Sequence, residues 1–270
     1  MSQSVRKHVK RAIKHRVRPL THAWLRGHQL VDGLRRMNIS GDRPLFVHSS
    51  LSSLGYIPGG IQTVLDSIRA VIGSDGNLAM PTHSWASVSQ GLREFDVRKT
   101  PSCVGQITEV FRQCPGVQRS LHPTHSIAAD GPGAADLVKD HERSDTPCGI
   151  DTPYHRLLVA DARILFLGAP FESNTCYHCV EAISDVDYLL SPDEERFDLI
   201  REDGSRVSAM IRRHRRGIRR DLSRLKSELL NRGTMQAAMI GNTPCLLIDG
   251  RNFMNFLGEE LDRDREYLLA

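Results

Sequence analysis

The chain reads as an α/β protein built on a mixed sheet, and three observations predict it. Apolar, strand-like runs alternate with helical patterns through most of the 270 residues, the arrangement of strands covered by helices. The run Leu45-Phe46-Val47 enters a hydroxyl-rich turn, His48-Ser49-Ser50, and the pair Gly59-Gly60 then opens an amphipathic helix. Two strand-like segments meet at Asp203-Gly204, a dipeptide suited to a tight hairpin, so at least that pair is antiparallel.

The elements follow in order. Helical periodicity covers 28–37. The strand at 44–48 is a continuous apolar run, as burial on both faces requires. Helix 60–72 follows the glycine pair. A second strand at 77–80 runs into Thr82-His83-Ser84. Helix 104–113 precedes a polar loop and a short strand at 126–129. Helix 133–139 precedes the apolar strand at 163–168. Helix 175–184 starts where Asn174 or Thr175 can cap it. The hairpin strands lie at 197–201 and 206–211, helix 218–231 follows, and a strand at 245–248 leads into helix 251–261.

Composition narrows the class. This length suits one large α/β domain or two small ones with a sizeable core. No apolar run approaches the ~18 residues of a membrane span. Six cysteines lack a framework spacing, which fits a reducing, cytoplasmic compartment. No repeat or low-complexity segment is present. The net charge of +4 is concentrated at one end. Residues 1–31 hold Arg6, Lys7, Lys10, Arg11, Lys14, Arg16, Arg18 and Arg26 and no acid, so acids outnumber bases in the remainder. Val5, Val9, Ile13 and Val17 form one apolar stripe beneath that charge. Residues 1–28 are therefore expected to be a basic amphipathic appendage and 29–270 the enzyme domain. The stripe suits packing on the domain or on a second subunit in a homodimer. Peripheral contact of residues 1–26 with an anionic membrane surface is the other reading. A targeting role ranks lower, and nucleic acid lower still, since no aromatic residues interleave with the charge.

Four blocks carry a family resemblance. They are Leu45 to Trp85, FDVRKTPSCVGQITEVFRQCPGVQRSLHPTHSIAADG from Phe95 to Gly131, ILFLGAPFESNTCYHCVE from Ile164 to Glu181, and IGNTPCLLIDGRNFMNFL from Ile240 to Leu257. In this order they resemble the antibiotic N-acetyltransferases, the aminoglycoside 3-N-acetyltransferase family. The resemblance implies a three-layer α/β sandwich rather than the GNAT fold, whose glycine-rich signature is absent from the sequence. It also implies acetyl-CoA as cosubstrate and a small-molecule amine as acceptor.

Moving an acetyl group from a thioester to an amine calls for a base, because an alkylammonium titrates near ~10. Among twelve histidines, His178 is preferred. It would lie in the first turn of helix 175–184, where the helix dipole favours a neutral imidazole. Glu181, three residues on, shares its face and can fix its tautomer. Asp185 or Asp96 can fill that role instead. The family's His-x-x-Glu pattern falls on the same pair. His48, Ser49, Ser50 and Leu51 with Gly55, followed by Gly59-Gly60, suit a cradle for pantetheine and pyrophosphate, and Thr82 and His83 share the cleft. Arg119 and Ser120 suit a coenzyme phosphate or carbonyl. The resemblance puts their loop, with His125, in the active-site wall. His83, Asp96, His125 and Asp185 are the acceptor-side candidates. No Gly-x-Ser-x-Gly elbow exists, which favours direct transfer.

Two rival patterns need weighing. His122-x-x-His125 with Cys176-x-x-Cys179 imitates a zinc set, but the cysteines fall inside a helix, so no metal is expected. The run Met210–Arg220, MIRRHRRGIRR, is unexpectedly basic for a polycation pocket. It points to an alternative acceptor, a phosphorylated or nucleotide- or lipid-linked amino sugar. A non-catalytic coenzyme- or sugar-binding protein is the alternative from another class.

Overall fold

The computed structural model describes residues 23–270. The stripe Val5 to Val17, with the membrane, targeting and homodimer readings built on it, lies outside these residues. Residues 23–28, read above as part of the appendage, are joined to the domain. Trp24 bridges Tyr56, the Leu25 amide donates to the Tyr56 carbonyl at 2.9 Å, and Leu25 is buried. Gly55 is needed there. Its φ is +77°, and a Cβ would meet the Ala23 carbonyl at 2.5 Å.

A seven-stranded sheet forms the middle layer. In spatial order it runs β4 (Gln118–Arg119), β5 (Ile127–Asp130), β2 (Leu78–Pro81), β1 (Leu45–Ser49), β6 (Arg163–Leu167), β10 (Thr243–Asp249) and β9 (Met235–Ile240). Strands β2, β1 and β6 are parallel, and the outer ones pair antiparallel. Alternate side chains enter opposite cores, the period-2 pattern of a covered strand. Phe46, Ile164, Phe166 and Ile248 face one cluster, with helices α6 (Pro153–Val159), α7 (Cys176–Ile183), α8 (Ser223–Asn231) and α9 (Gly250–Arg263). Leu45, Val47, Leu165, Leu167 and Leu247 face the other, with α1 (Gly27–Arg36), α2 (Gly60–Ile72) and α4 (Gln106–Phe111). Helix, sheet and helix make the three-layer sandwich expected. The short helices α3 (Trp85–Ser89) and α5 (Ala134–Val138) complete the set.

The hairpin at Asp203-Gly204 does not join the large sheet. It forms a separate sheet of β3 (Glu94–Asp96), β7 (Leu190–Ile200) and β8 (Arg206–His214), with β7–β8 antiparallel and β3–β7 parallel. Phe95, Phe197, Leu199 and Ile211 form its own core. Both hairpin strands are longer than predicted, and that extension carries β8 as far as His214.

Topology sets the site. Parallel strands β1, β2 and β6 end on one side of the sheet, where open α/β sheets bind ligands. Antiparallel β5 starts on that side, with Ile127 opposite Pro81. One edge therefore gathers His48 to Ser50, Thr82 to Ser84, Thr124 to Ser126 and the segment from Gly168 into α7. Among the described residues no helix is long and apolar enough to cross a membrane.

Candidate active site

Helix α7 begins as the sequence suggests. The Asn174 side-chain oxygen accepts from the Cys176 amide at 3.0 Å, which puts His178 in the first turn. His178 Nδ1 lies 2.7 Å from Glu181 Oε2. With a carboxylate on that side, Nδ1 carries the proton and Nε2 keeps its lone pair. Glu181 is fully buried, and Arg220 grips it with a fork, Nε to Oε1 at 2.7 Å and a terminal nitrogen to Oε2 at 3.1 Å. Burial pushes the carboxyl up, and the Arg220 fork opposes that shift. Burial, then the Arg220 charge, then His125 hold His178 well below its ordinary value. His178 is thus neutral at pH 7 with its side chain still 14 % exposed, the state a general base requires.

A row of imidazoles extends from it. Ring centroids are 4.2 Å apart for His178 and His214, 4.7 Å for His214 and His125, and 4.7 Å for His125 and His83. His83 Nε2 meets the Tyr154 hydroxyl at 2.6 Å, and that hydroxyl also donates to the His125 carbonyl at 3.1 Å. His122 stacks on His141 at 4.4 Å. Burial lowers His125 to about 4 and His48 and His141 to about 3.

Two cavities flank α7. One, of about 450 Å³, lies before its start and is lined by His48, Ser49, Ser50, His83, Trp85 and Thr175 among others. His48 Nε2 and Ser49 Oγ are buried there without a protein partner, whereas buried polar groups are as a rule hydrogen-bonded. The other, of about 480 Å³, lies at the far end of α7 and includes Glu181, Asp145, Asp185, Asp187, Arg212 and Arg215.

A profile described as aminoglycoside 3-N-acetyltransferase matches residues 46–262. The chain belongs to that family. It is 34% identical over 175 residues to aminoglycoside N(3)-acetyltransferase VIII of Streptomyces fradiae, a match covering 58% of this chain and 61% of that one. The chain thus aligns with about three-fifths of the length of that relative. Two solved structures share the fold. AAC-VIa bound to sisomicin superposes with a TM-score of 0.75 at 26% identity, over 89% of this chain and 98% of that one. The binary complex of AAC-IIIb with CoASH superposes with a TM-score of 0.75 at 21% identity, over 89% and 97%.

Measured against the sequence reading, the family's His-x-x-Glu pair is in hydrogen-bond contact, and His48, Ser49, Ser50 and His83 share one cavity. Several other candidate residues make contacts within the protein. Arg119 is not a free fork for phosphate. It donates to Thr82 Oγ1, the Ser126 hydroxyl and the carbonyls of Thr82, Val97 and Thr100, and it lies over the Phe95 ring at 4.8 Å. Desolvation lowers it to about 9. Arg119 ties the two sheets together. Arg119→Ala leaves these acceptors unpaired and is expected to cost about 3–5 kcal/mol, a fall in Tm on the order of 10 °C in a thermal melt. An unchanged melt with weakened acetyl-CoA binding would return Arg119 to the coenzyme site.

Ser120 and Thr82 are also occupied internally. The Ser120 hydroxyl lies 2.9 Å from His141 Nδ1 and accepts from the Ile127 amide, and Thr82 Oγ1 meets Ser126. Leu51 packs against the apolar core. Gly55 serves the contact with Ala23. Gly59 and Gly60 form a left-handed turn, where Thr63 Oγ1 caps the Pro58 carbonyl. Asp96 accepts from the Arg98 and Lys99 amides. Asp185, left-handed at φ +52°, is exposed past the end of α7, and the carboxylate hydrogen-bonded to His178 is that of Glu181. Among the described residues no His/Cys/Asp/Glu group could hold a metal, and Cys176 and Cys179 are core residues. In the basic run, Arg212 pairs with Asp145 at 2.7 Å, Arg213 pairs with Glu195, and Arg216 reaches Ser89.

Sequence reasoning missed His214, Arg220 and Tyr154 as site residues. The first two were hidden in a run read only for its charge. Tyr154 sits on α6, which had a detectable start signal, Thr152 as cap and Pro153 at the first helical position.

Proposed function

We propose that this chain transfers the acetyl group of acetyl-CoA to an amine of an aminoglycoside acceptor, with His178 as general base. The observation that carries the reading is the trio His178, Glu181 and Arg220, which leaves one neutral, partly exposed imidazole on a helix with a cavity before its start and another at its far end. The amine nitrogen bonds the thioester carbonyl carbon, the C–S bond breaks, and the electron pair leaves with the coenzyme thiolate. His178 Nε2 accepts the proton that the amine loses, and Glu181 steadies the resulting imidazolium. The cavity of His48, Ser49 and Ser50 suits the pantetheine arm, since unpartnered polar atoms there match its amides and carbonyl. The CoASH complex of a structural neighbour supports this coenzyme.

The second cavity suits the acceptor. Asp145, Asp185 and Asp187 line it, and carboxylates attract a polycation. The sisomicin complex of another neighbour supports that acceptor class. One observation favours a phosphorylated acceptor instead: Arg215 is exposed on the same cavity. Its neighbour Arg212 is already neutralised by Asp145, which leaves carboxylates in the majority.

Thiol release from acetyl-CoA, assayed with sisomicin and with a UDP-linked amino sugar, tests both. Turnover with sisomicin is expected to dominate, and acetyl-CoA alone is expected to raise Tm, because a ligand of the folded state stabilises it. Turnover with the UDP sugar alone would select the second reading. No thiol release with either, despite a thermal shift, would indicate a coenzyme-binding protein without transfer activity.

A further inference from the structure

The arginine-rich segment that ends β8 contains His214, which the reading above leaves without a task. His214 is opposite Leu190 on β7, and the next amide, Arg215, donates to the Leu189 carbonyl at 2.8 Å. Those bonds fix the backbone at that point. The ring lies between two others, 4.2 Å from His178 and 4.7 Å from His125, and its Nε2 is buried without a partner.

Among the described residues the His178 ring has one hydrogen bond, through Nδ1 to Glu181. A single bond acts as a hinge: the ring can pivot about it and swing Nε2 away from the amine. A second constraint must be steric. Among the described residues two rings touch His178, Tyr177 from its own helix at 4.1 Å and His214 from the small sheet. Tyr177 moves with α7, so of these two rings it is His214 that refers the base to a different part of the fold. We propose that His214 is a positioning residue for the transfer reaction, its ring bracing His178 so that Nε2 stays aimed at the acceptor amine. This rests on His178 being the base. Bracing needs a flat, uncharged ring. The groups facing His214 are His178 from α7, His125 from the loop before β5 and Arg220 after β8, and burial with these neighbours disfavours a charge on it.

The test compares three variants. His214→Ala removes the wall and is expected to lower kcat by about 10–100-fold with KM for acetyl-CoA little changed, the pattern of lost orientation. Opening the site should also move the acid limb of the kcat/KM profile toward the ordinary histidine range, because His178 gains water. His214→Phe keeps a ring and is expected to recover most of the loss. Imidazole NMR of His178, recorded without acceptor, reads the same titration independently of turnover. His178→Ala, assayed in parallel, reports on the base itself. Unchanged kcat and an unmoved limb in His214→Ala overturn the proposal. So does a His214→Phe variant that is folded by thermal melt yet as impaired as His214→Ala, since the nitrogen rather than the ring would then matter. If His178→Ala stays active while the NMR titration still moves in His214→Ala, the base assignment has failed and the contact between the rings stands.

Discussion

Replacing His178 with alanine is expected to lower kcat by about 10²–10⁴-fold, the usual contribution of a positioned general base. The loss should fall on kcat rather than on coenzyme affinity, because His178 is not among the residues lining the cavity of His48 and Ser49. The remaining rate should rise with pH, as free amine replaces ammonium without enzymic help. Stopped-flow thiol detection with sisomicin, from pH 6 to pH 9, checks both features. Near-wild-type turnover at neutral pH would remove His178 from the mechanism, and a selective loss of acetyl-CoA affinity would make it a binding residue.

A steep loss of stability in mild acid is expected as well. His48, His83, His122, His125, His141, His178 and His214 are all held below their ordinary value, chiefly by burial. The unfolded chain regains the ordinary value near ~6.5 and binds protons that the folded chain refuses. Stability is therefore intact above that pH and falls below it. Each such histidine contributes a slope of up to about 1.4 kcal/mol per pH unit, so the seven together reach at most about 10. A typical domain has 5–15 kcal/mol in all. Urea unfolding at intervals between pH 7 and pH 5 should show the midpoint dropping sharply, with unfolding before pH 5. A flat midpoint across that range would mean the imidazoles gain access to water or find anionic partners.

The sequence revealed the central fold well, because strands buried on both faces read as unbroken apolar runs. Leu45 to Val47 and Ile164 to Leu167 are such runs, and both lie at the centre of the sheet. It revealed the edges poorly. Strand β9, Met235–Ile240, is buried only at its two end residues and is largely exposed between them, and β4 has only two residues. Neither has the pattern of a central strand. The site divided along the same line. His178 and Glu181 lie one helical turn apart, so their contact follows from local spacing. Arg220 reaches Glu181 across 39 positions of chain, and His214 reaches His178 only because the end of β8 lies beside α7. Arg119 misled for a physical reason: an arginine in a polar stretch resembles a phosphate ligand until its five acceptors are known, and the structure places it on β4.

The fork from Arg220 to Glu181 also separates two uses of charge. With His178 neutral, the resting trio carries no net charge, so it neither draws in a cation nor repels one. Any attraction for a basic acceptor must come from exposed carboxylates such as Asp185 and Asp187, past the other end of the helix. On the proposed function, recognition and proton handling are thereby set by different residues. The preference for one acceptor over another can drift at the surface, through changes in those aspartates or in Arg215, while the buried chemistry is left undisturbed.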